Sequence, residues 1–425
     1  MFTALPDEIL VLIIQAVDRD LTDLQNLALA CRTLLPVIRE ELFSIVNVCA
    51  LQEPCIRPYF NCISKLRIEE PNPVSDDAAN GRFVPYLDPH ALPRLRSLHF
   101  NGLGVWFFVK MPTALYQALS SFTSVTTLAL SGSVYFVNFR QIRTLVCSLP
   151  NLSELSLREV GYIPWRGSMP EGYDQWADGL SDITGPRLSR LTIAPSSTTD
   201  DVASWLAFGP SKDSLTTLVV PPRSNAPHYV LKYFGPSIEH IGIPLNGQGS
   251  KPSAYTLRRS PTEMDVLLDR ACYSRCLKTY TNLRTLRLFL DTVVESPHAW
   301  GGVPRLLQYW IPAEHLHAIA IDVLIPYEVL ERCDWQLDAQ LDWDVLHLLN
   351  HVLGGPKFAV LDTVEFNVQW IGKWDPGEEV RDALARRIEE TLRKVAETRT
   401  LVTSVRGLQE VLPRVRWRGS RPKAG

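Results

Sequence analysis

What this chain lacks removes several function classes before any motif is considered. It has no excess of one charge: 43 Lys and Arg stand against 46 Asp and Glu, a formal net charge of −3, with a pI near 6.3. Nucleic-acid binders and membrane-surface proteins usually carry a clear basic bias, so neither nucleic acid nor membrane is expected as a partner. The apolar stretch Ile9, Leu10, Val11, Leu12, Ile13, Ile14 falls far short of the roughly 20 residues of a membrane span. Asp7 and Glu8 put acid where a secretory signal needs positive charge, and neither end carries a lipidation motif. Cysteine is sparse and scattered, at positions 31, 49, 55, 62, 147, 272, 276 and 333. Reduced thiols in the cytoplasm or nucleus are therefore expected, with neither disulfide nor cofactor.

Recognisable catalytic loops are missing as well. Gly242 and Gly247 have the glycine spacing of a phosphate loop, but Gln248 stands where its lysine must be. No G-x-S-x-G elbow and no G-x-G-x-x-G turn occurs. His347 and His351 sit four apart, a legitimate metal-ligand spacing on a helix, but Leu348 replaces the glutamate that would make a hydrolytic zinc site. A helix surface accounts for them better. Cys272 and Cys276 have the wrong spacing for a zinc knuckle. His315 and His317 are expected to share one face of a strand. Glu331, Asp334, Asp338, Asp342 and Asp344 form an acidic patch around Trp335 and Trp343, read as a solvated helix face, with a groove for a basic peptide as the sharper alternative. The expectation is a non-catalytic protein.

What the chain does have begins with three short helices. Pro6 suits a first helical turn, and Asp7 and Glu8 place negative charge at its positive end. A second helix fits 22–30, and a third 35–43. Three short helices cannot bury all of Leu5, Ile9, Leu10, Ile13 and Leu24. Each buried aliphatic side chain is worth ~1.5–3 kcal/mol, so such a surface marks a partner site. Leu5-Pro6-Asp7-Glu8-Ile9-Leu10, then Leu24 to Leu27, then Cys31-Arg32-Thr33-Leu34-Leu35 and Glu41-Leu42-Phe43 resemble an F-box of the fungal type. The likeness covers about a tenth of the chain. It lacks the tryptophan that the animal pattern has in the third helix, and Asp18-Arg19-Asp20 makes a short connector. The resemblance implies that Leu5, Pro6, Ile9, Leu10, Ile13, Leu24 and Leu27 dock onto a Skp-type adaptor and, through it, a cullin scaffold of a ubiquitin ligase. A helical cap on the open end of a repeat array remains the alternative.

Beyond residue 60 one pattern recurs: apolar, two others, apolar, one other, apolar. Its copies start at Ile63, Leu95, Val125, Leu152, Leu188, Leu215, Ile238, Leu283, Leu316 and Leu361. Starts lie from 23 residues apart (Leu215 to Ile238) to 45 apart (Ile238 to Leu283). Each interval accommodates a short strand, a return helix and two turns, and the last three positions have the period of a strand. Helices fit 114–122, 139–147, 202–208 and 344–353. Pro93, Pro150, Pro186 and Pro236 sit two residues ahead of their copies, stopping the preceding helix.

The pattern is similar to a leucine-rich repeat, which implies a curved solenoid with a parallel sheet on its concave side. The asparagine that ordinarily follows the last leucine is mostly absent, so an irregular arc is expected. An ordinary α/β domain is the alternative. Segments 71–89, 162–182 (with Trp165 and Trp176) and 246–261 read as insertions. From Asp375-Pro376 onward an amphipathic helix is expected, capped by Asp375, with Val380, Leu384, Ile388, Leu392 and Val395 as its apolar stripe.

The expected organisation is α/β: a three-helix F-box at 1–45, a repeat solenoid at 46–374, and a capping helix with a basic tail at 375–425. Residues flanking the first strand leucine face away from the core. That rule selects Ser97 and His99, Glu154 and Ser156, Arg190 and Thr192, His240, Thr285 and Arg287, and Thr363 and Glu365. His99, Glu154, Arg190, His240, Arg287 and Glu365 are the expected contacts to an unknown protein substrate. Arg190 and Arg287 are the preferred anchors, and changing both to Ala is expected to release the substrate with no loss of melting temperature. The function implied is the substrate-recognition subunit of a cullin–RING ubiquitin ligase. The alternative is a protein-binding scaffold outside any ligase.

Overall fold

The computed structural model describes residues 38–39, 43–69, 87–102, 113–132, 134–162, 185–194, 196, 198–221, 228–245, 276–291, 302–325, 330, 337, 340–371 and 376–408. Leu5, Pro6, Ile9, Leu10, Ile13, Leu24 and Leu27 lie outside the described residues, as do Trp165, Trp176 and most of the three insertions. Of the expected third helix, Ile38 and Arg39 are helical, and Ile38 is fully buried. Phe43 stacks on Tyr59 with ring centroids 4.1 Å apart. None of the helices described is long and apolar enough to cross a membrane.

The chain divides into two compact units, Met1–Pro221 with Ala226–Glu239, and Pro222–Asn225 with His240–Gly425. Each is α/β with a parallel sheet. The first holds, in chain order, β1 (Ile45–Asn47), β2 (Lys65–Glu69), β3 (Ser97–Asn101), α1 (Thr113–Ser120), β4 (Thr127–Ser131), β5 (Val134–Phe136), α2 (Phe139–Cys147), β6 (Glu154–Leu157), β7 (Val160–Tyr162), β8 (Arg190–Ile193), α3 (Thr199–Phe208), α4 (Ser211–Ser214), β9 (Thr217–Val219) and α5 (His228–Leu231). Its main sheet runs β1-β2-β3-β4-β6-β8-β9, and β5 pairs with β7 in a small second sheet. Within the main sheet each strand lies parallel to its neighbour, with motif leucines in register: Leu66, Leu98, Leu128, Leu155, Leu191 and Leu218. All six are at most 1% exposed.

The return helices form where the sequence gives both an apolar stripe and a start signal. The side chain of Asn138 accepts the Gln141 N–H at 3.2 Å, and Gln141 in turn accepts the Val137 N–H at 2.9 Å, a reciprocal cap that starts α2. Ile142, Leu145 and Val146 are its buried face.

Strands β3 and β4 end alike, with Gly102 (φ 62°) and Gly132 (φ 73°) in the left-handed region. A Cβ on Gly132 would lie 2.8 Å from the Gly102 nitrogen, so glycine is required for space as well. The corresponding place after β6 holds Glu159 at φ 56°. Left-handed backbone costs an L side chain ~1–2 kcal/mol, while glycine gives back ~0.5–1 kcal/mol through unfolded-state freedom. Glu159→Gly is therefore expected to stabilise the protein by about 0.5–1 kcal/mol in a denaturant titration. A fall in stability would show that the Glu159 side chain makes a contact worth more than the strain.

The second unit holds β10 (His240–Pro244), β11 (Thr285–Asp291), α6 (Gly302–Tyr309), β12 (Ala318–Ile325), α7 (Trp343–Leu353), β13 (Thr363–Ile371), α8 (Glu378–Thr391), α9 (Arg393–Thr398) and β14 (Thr400–Leu408). Its sheet runs β10-β11-β12-β13-β14, all parallel, with Ile241, Leu286, Ile319, Val364 and Leu401 in register. Asp342 caps α7 by accepting the Val345 N–H at 3.1 Å. Lys357 closes the C-terminus of α6, its Nζ donating to the carbonyls of Leu307 and Gln308 at 2.8 Å each, and burial lowers its pKa.

Three details differ from expectation. The helix expected from Asp375-Pro376 begins at Glu378, behind Gly377 at φ 84°. The left-handed backbone at Gly377 sets its start, and Asp375 is outside the described residues. Its stripe is buried at Leu384, Ile388, Leu392 and Val395, but Val380 is 47% exposed, because it sits in the first turn. The helix also does not end the fold: β14 follows it and pairs along all of β13.

Candidate functional site

The sheet face opposite the core is polar in each unit, and the strand register places most of the expected site residues on it. In the first unit one row reads Lys65, Ser97, Thr127, Glu154, Arg190, Thr217. The next reads Asn47, Arg67, His99, Ala129, Ser156, Thr192, Val219. The third, Glu69, Asn101 and Ser131, is a hydrogen-bonded run: Asn101 and, from the second row, Asn47 donate to the two carboxylate oxygens of Glu69 at 3.2 and 3.3 Å, and Ser131 Oγ donates to Asn101 Oδ1 at 3.0 Å. Such a run fixes its side-chain rotamers before any ligand arrives. Arg190 lies 3.9 Å from Glu154, with both side chains about half exposed (53% and 44%), a pair worth roughly 0–1 kcal/mol. His99 is half-buried. Burial first, then repulsion from Lys65 and Arg67, pushes its imidazole down to about 4, so it is neutral at physiological pH.

In the second unit His240 Nδ1 and Thr285 Oγ1 are 2.8 Å apart across β10 and β11. The centre of this face is Arg287. Its Nε and Nη2 both hydrogen-bond the carboxylate of Asp322, the latter at 3.1 Å. Asp322 is only 1% exposed, and it also accepts from Asn367 Nδ2 at 3.0 Å. The Asp322 hydrogen bonds raise the Arg287 pKa against the opposing effect of burial, with the charges of Asp322 and Glu365 adding to the rise. The guanidinium also lies 5.6 Å from the Phe289 ring centroid. Glu365 is exposed one strand beyond.

These contacts correct the expectation for the two anchors. Arg287 already spends its bidentate grip on Asp322, and Arg190 faces Glu154. Removing Arg287 strands a buried carboxylate, so the melting temperature will not hold in the double alanine variant. His315 and His317 precede β12 instead of lying on it, and His317 Nδ1 is 3.0 Å from Asp362 in an exposed pair. His347 and His351 do lie on α7, both exposed. Among the described residues no group of three His, Cys, Asp or Glu side chains gathers as a metal site would. Cys147, pushed up to about 11 by burial against the opposing charge of Arg143, is a thiol at neutral pH.

No protein-family model matches the chain, and no curated protein matches it significantly. Lys65 and Arg67 were passed over in the sequence, although the rule that selects Ser97 and His99 selects them equally. Glu69, Asn101, Asp322 and Asn367 were missed too. Each directly follows the last apolar position of a motif copy, and that is the signal that finds them.

Proposed function

We propose that the chain is a substrate receptor of a cullin–RING ubiquitin ligase, working in the cytoplasm or nucleus. In this reading residues 1–45 bind a Skp-type adaptor, and each parallel ladder is a stretch of irregular leucine-rich repeat whose polar face is the concave one. That face would hold a protein substrate, and the catalytic gain would come from proximity to chemistry done elsewhere in the complex. The observation that carries the reading is the contrast between the faces of single strands. On β12 and β13 the core side is wholly apolar, while the other side holds a prearranged Arg287–Asp322–Asn367 network. Side chains ordered in advance lower the entropic cost of gripping a partner.

The test is co-purification of the full chain with a Skp-type adaptor. Leu5→Ala with Pro6→Ala is expected to abolish adaptor recovery while the melting temperature stays within error, since both precede the motif copies that begin at Ile63. Undiminished recovery from that variant would sink the ligase reading and leave a scaffold.

A further inference from the structure

Arg67 is half-buried on the polar face of β2, yet it makes no hydrogen bond or ion pair with any described residue. Lys65 lies two residues along the same strand on the same face, and His99 stands opposite Arg67 in the register with β3. Neighbouring strands lie ~4.8 Å apart and alternate residues ~7 Å along a strand, so the three side chains bound one small area. His99, too, has no hydrogen-bond partner among the described residues, and it offers one N–H and one acceptor nitrogen. Glu69, on the same face of β2, already accepts from Asn47 and Asn101. Beyond His99 the row continues with the small side chain of Ala129.

We propose that Lys65, Arg67 and His99 form a binding site for an aspartate or glutamate side chain of an extended acidic peptide lying across the face of β2 and β3. This rests on reading the polar face as the substrate surface, not on adaptor binding. Arg67 supplies the planar fork that fits a carboxylate, and the neutral His99 N–H donates a further hydrogen bond. Charge decides between anions. Arg67 has no acid partner among the described residues, a charge that a single carboxylate neutralises, whereas a phosphate dianion would be repelled more strongly by Glu69, two residues along the strand. A parallel sheet face fits an extended segment, whose alternate side chains would reach it at the period of the strand.

The experiment uses the purified full chain and three short fluorescent peptides: alternating Asp and Ser, the same with Asn for Asp, and the Asn peptide with phosphoserine for Ser. The Asp peptide is expected to bind, with affinity falling as salt rises, and the Asn peptide to bind at least tenfold more weakly. Arg67→Gln is expected to weaken Asp-peptide binding by about 10–100-fold, the usual worth of hydrogen bonds to a charged group. Lys65→Gln, an independent variant should Arg67→Gln fold poorly, weakens it less. The ring protons of His99 report separately: their signals are expected to shift on titration with the Asp peptide and to stay in place with the Asn peptide. Absence of Asp-peptide binding, equal binding of the Asp and Asn peptides, or tighter binding of the phosphoserine peptide overturns the proposal. So does Asp-peptide binding undisturbed in folded Arg67→Gln. Adaptor recovery is read in parallel on the same variant, so failure here is distinguishable from failure of the ligase reading.

Discussion

Replacing Arg287 with Ala is expected to cost about 3–5 kcal/mol of folding stability, a loss out of proportion to an arginine whose side chain is 52% exposed. The reason lies with its partner. Asp322 is 1% exposed, so once Arg287 is gone a carboxylate stays buried with only the Asn367 amide to meet it. The reverse change is gentler. Asp322→Ala leaves a guanidinium that is already half in water and can turn outward, so the cost is the lost hydrogen bonds, about 1–3 kcal/mol. The combination Arg287→Ala with Asp322→Asn is expected to recover most of the loss, because no buried charge remains and the amide oxygen still accepts from Asn367. Denaturant titration of the three variants checks the order. If Arg287→Ala is within 1 kcal/mol of the wild type, the ion pair is not closed in solution.

The same residues mark where sequence reasoning succeeds and where it stops. Ten motif copies each produce a strand, because buried leucines at a fixed spacing are a strong local signal. Strand β1 was legible in principle: Phe43, Val46 and Val48 repeat the pattern, but they follow directly on a helical segment that claimed Phe43. Strand β14 was not. Its core-side positions are Leu401, Thr403, Val405 and Gly407, so the apolar alternation is broken twice. Among the described residues it pairs on one side alone, and a strand with one neighbour needs less apolar surface. Asp322, in an eight-residue strand otherwise built of Ala, Ile, Val and Leu, announces that it requires a partner. Naming that partner takes the register. Arg287 lies opposite Ala320, two residues short of Asp322, and only the paired strands reveal that diagonal.

Gly407 follows the same logic on the buried side, and a double-mutant cycle is expected to expose it. It stands opposite Trp370 in the register of β13 and β14. Trp370 is 1% exposed, and a Cβ on Gly407 would sit 3.0 Å from its Nε1, 3.1 Å from Cε2 and 3.2 Å from Cζ2. The missing side chain makes the space that the indole fills. Trp370→Ala is expected to cost about 3–5 kcal/mol through lost burial and the cavity left behind. Gly407→Ala pushes a methyl against the indole and is expected to cost about 1–3 kcal/mol by overpacking. With the indole gone that methyl has room, and the alanine also favours the strand over glycine by roughly 0.5–1 kcal/mol. Together, then, the two changes should cost less than their sum by about 1–3 kcal/mol, the coupling expected of residues in contact. Strict additivity would mean that the sheet shifts to admit the methyl, so that Gly407 is not needed for the indole's place in the core.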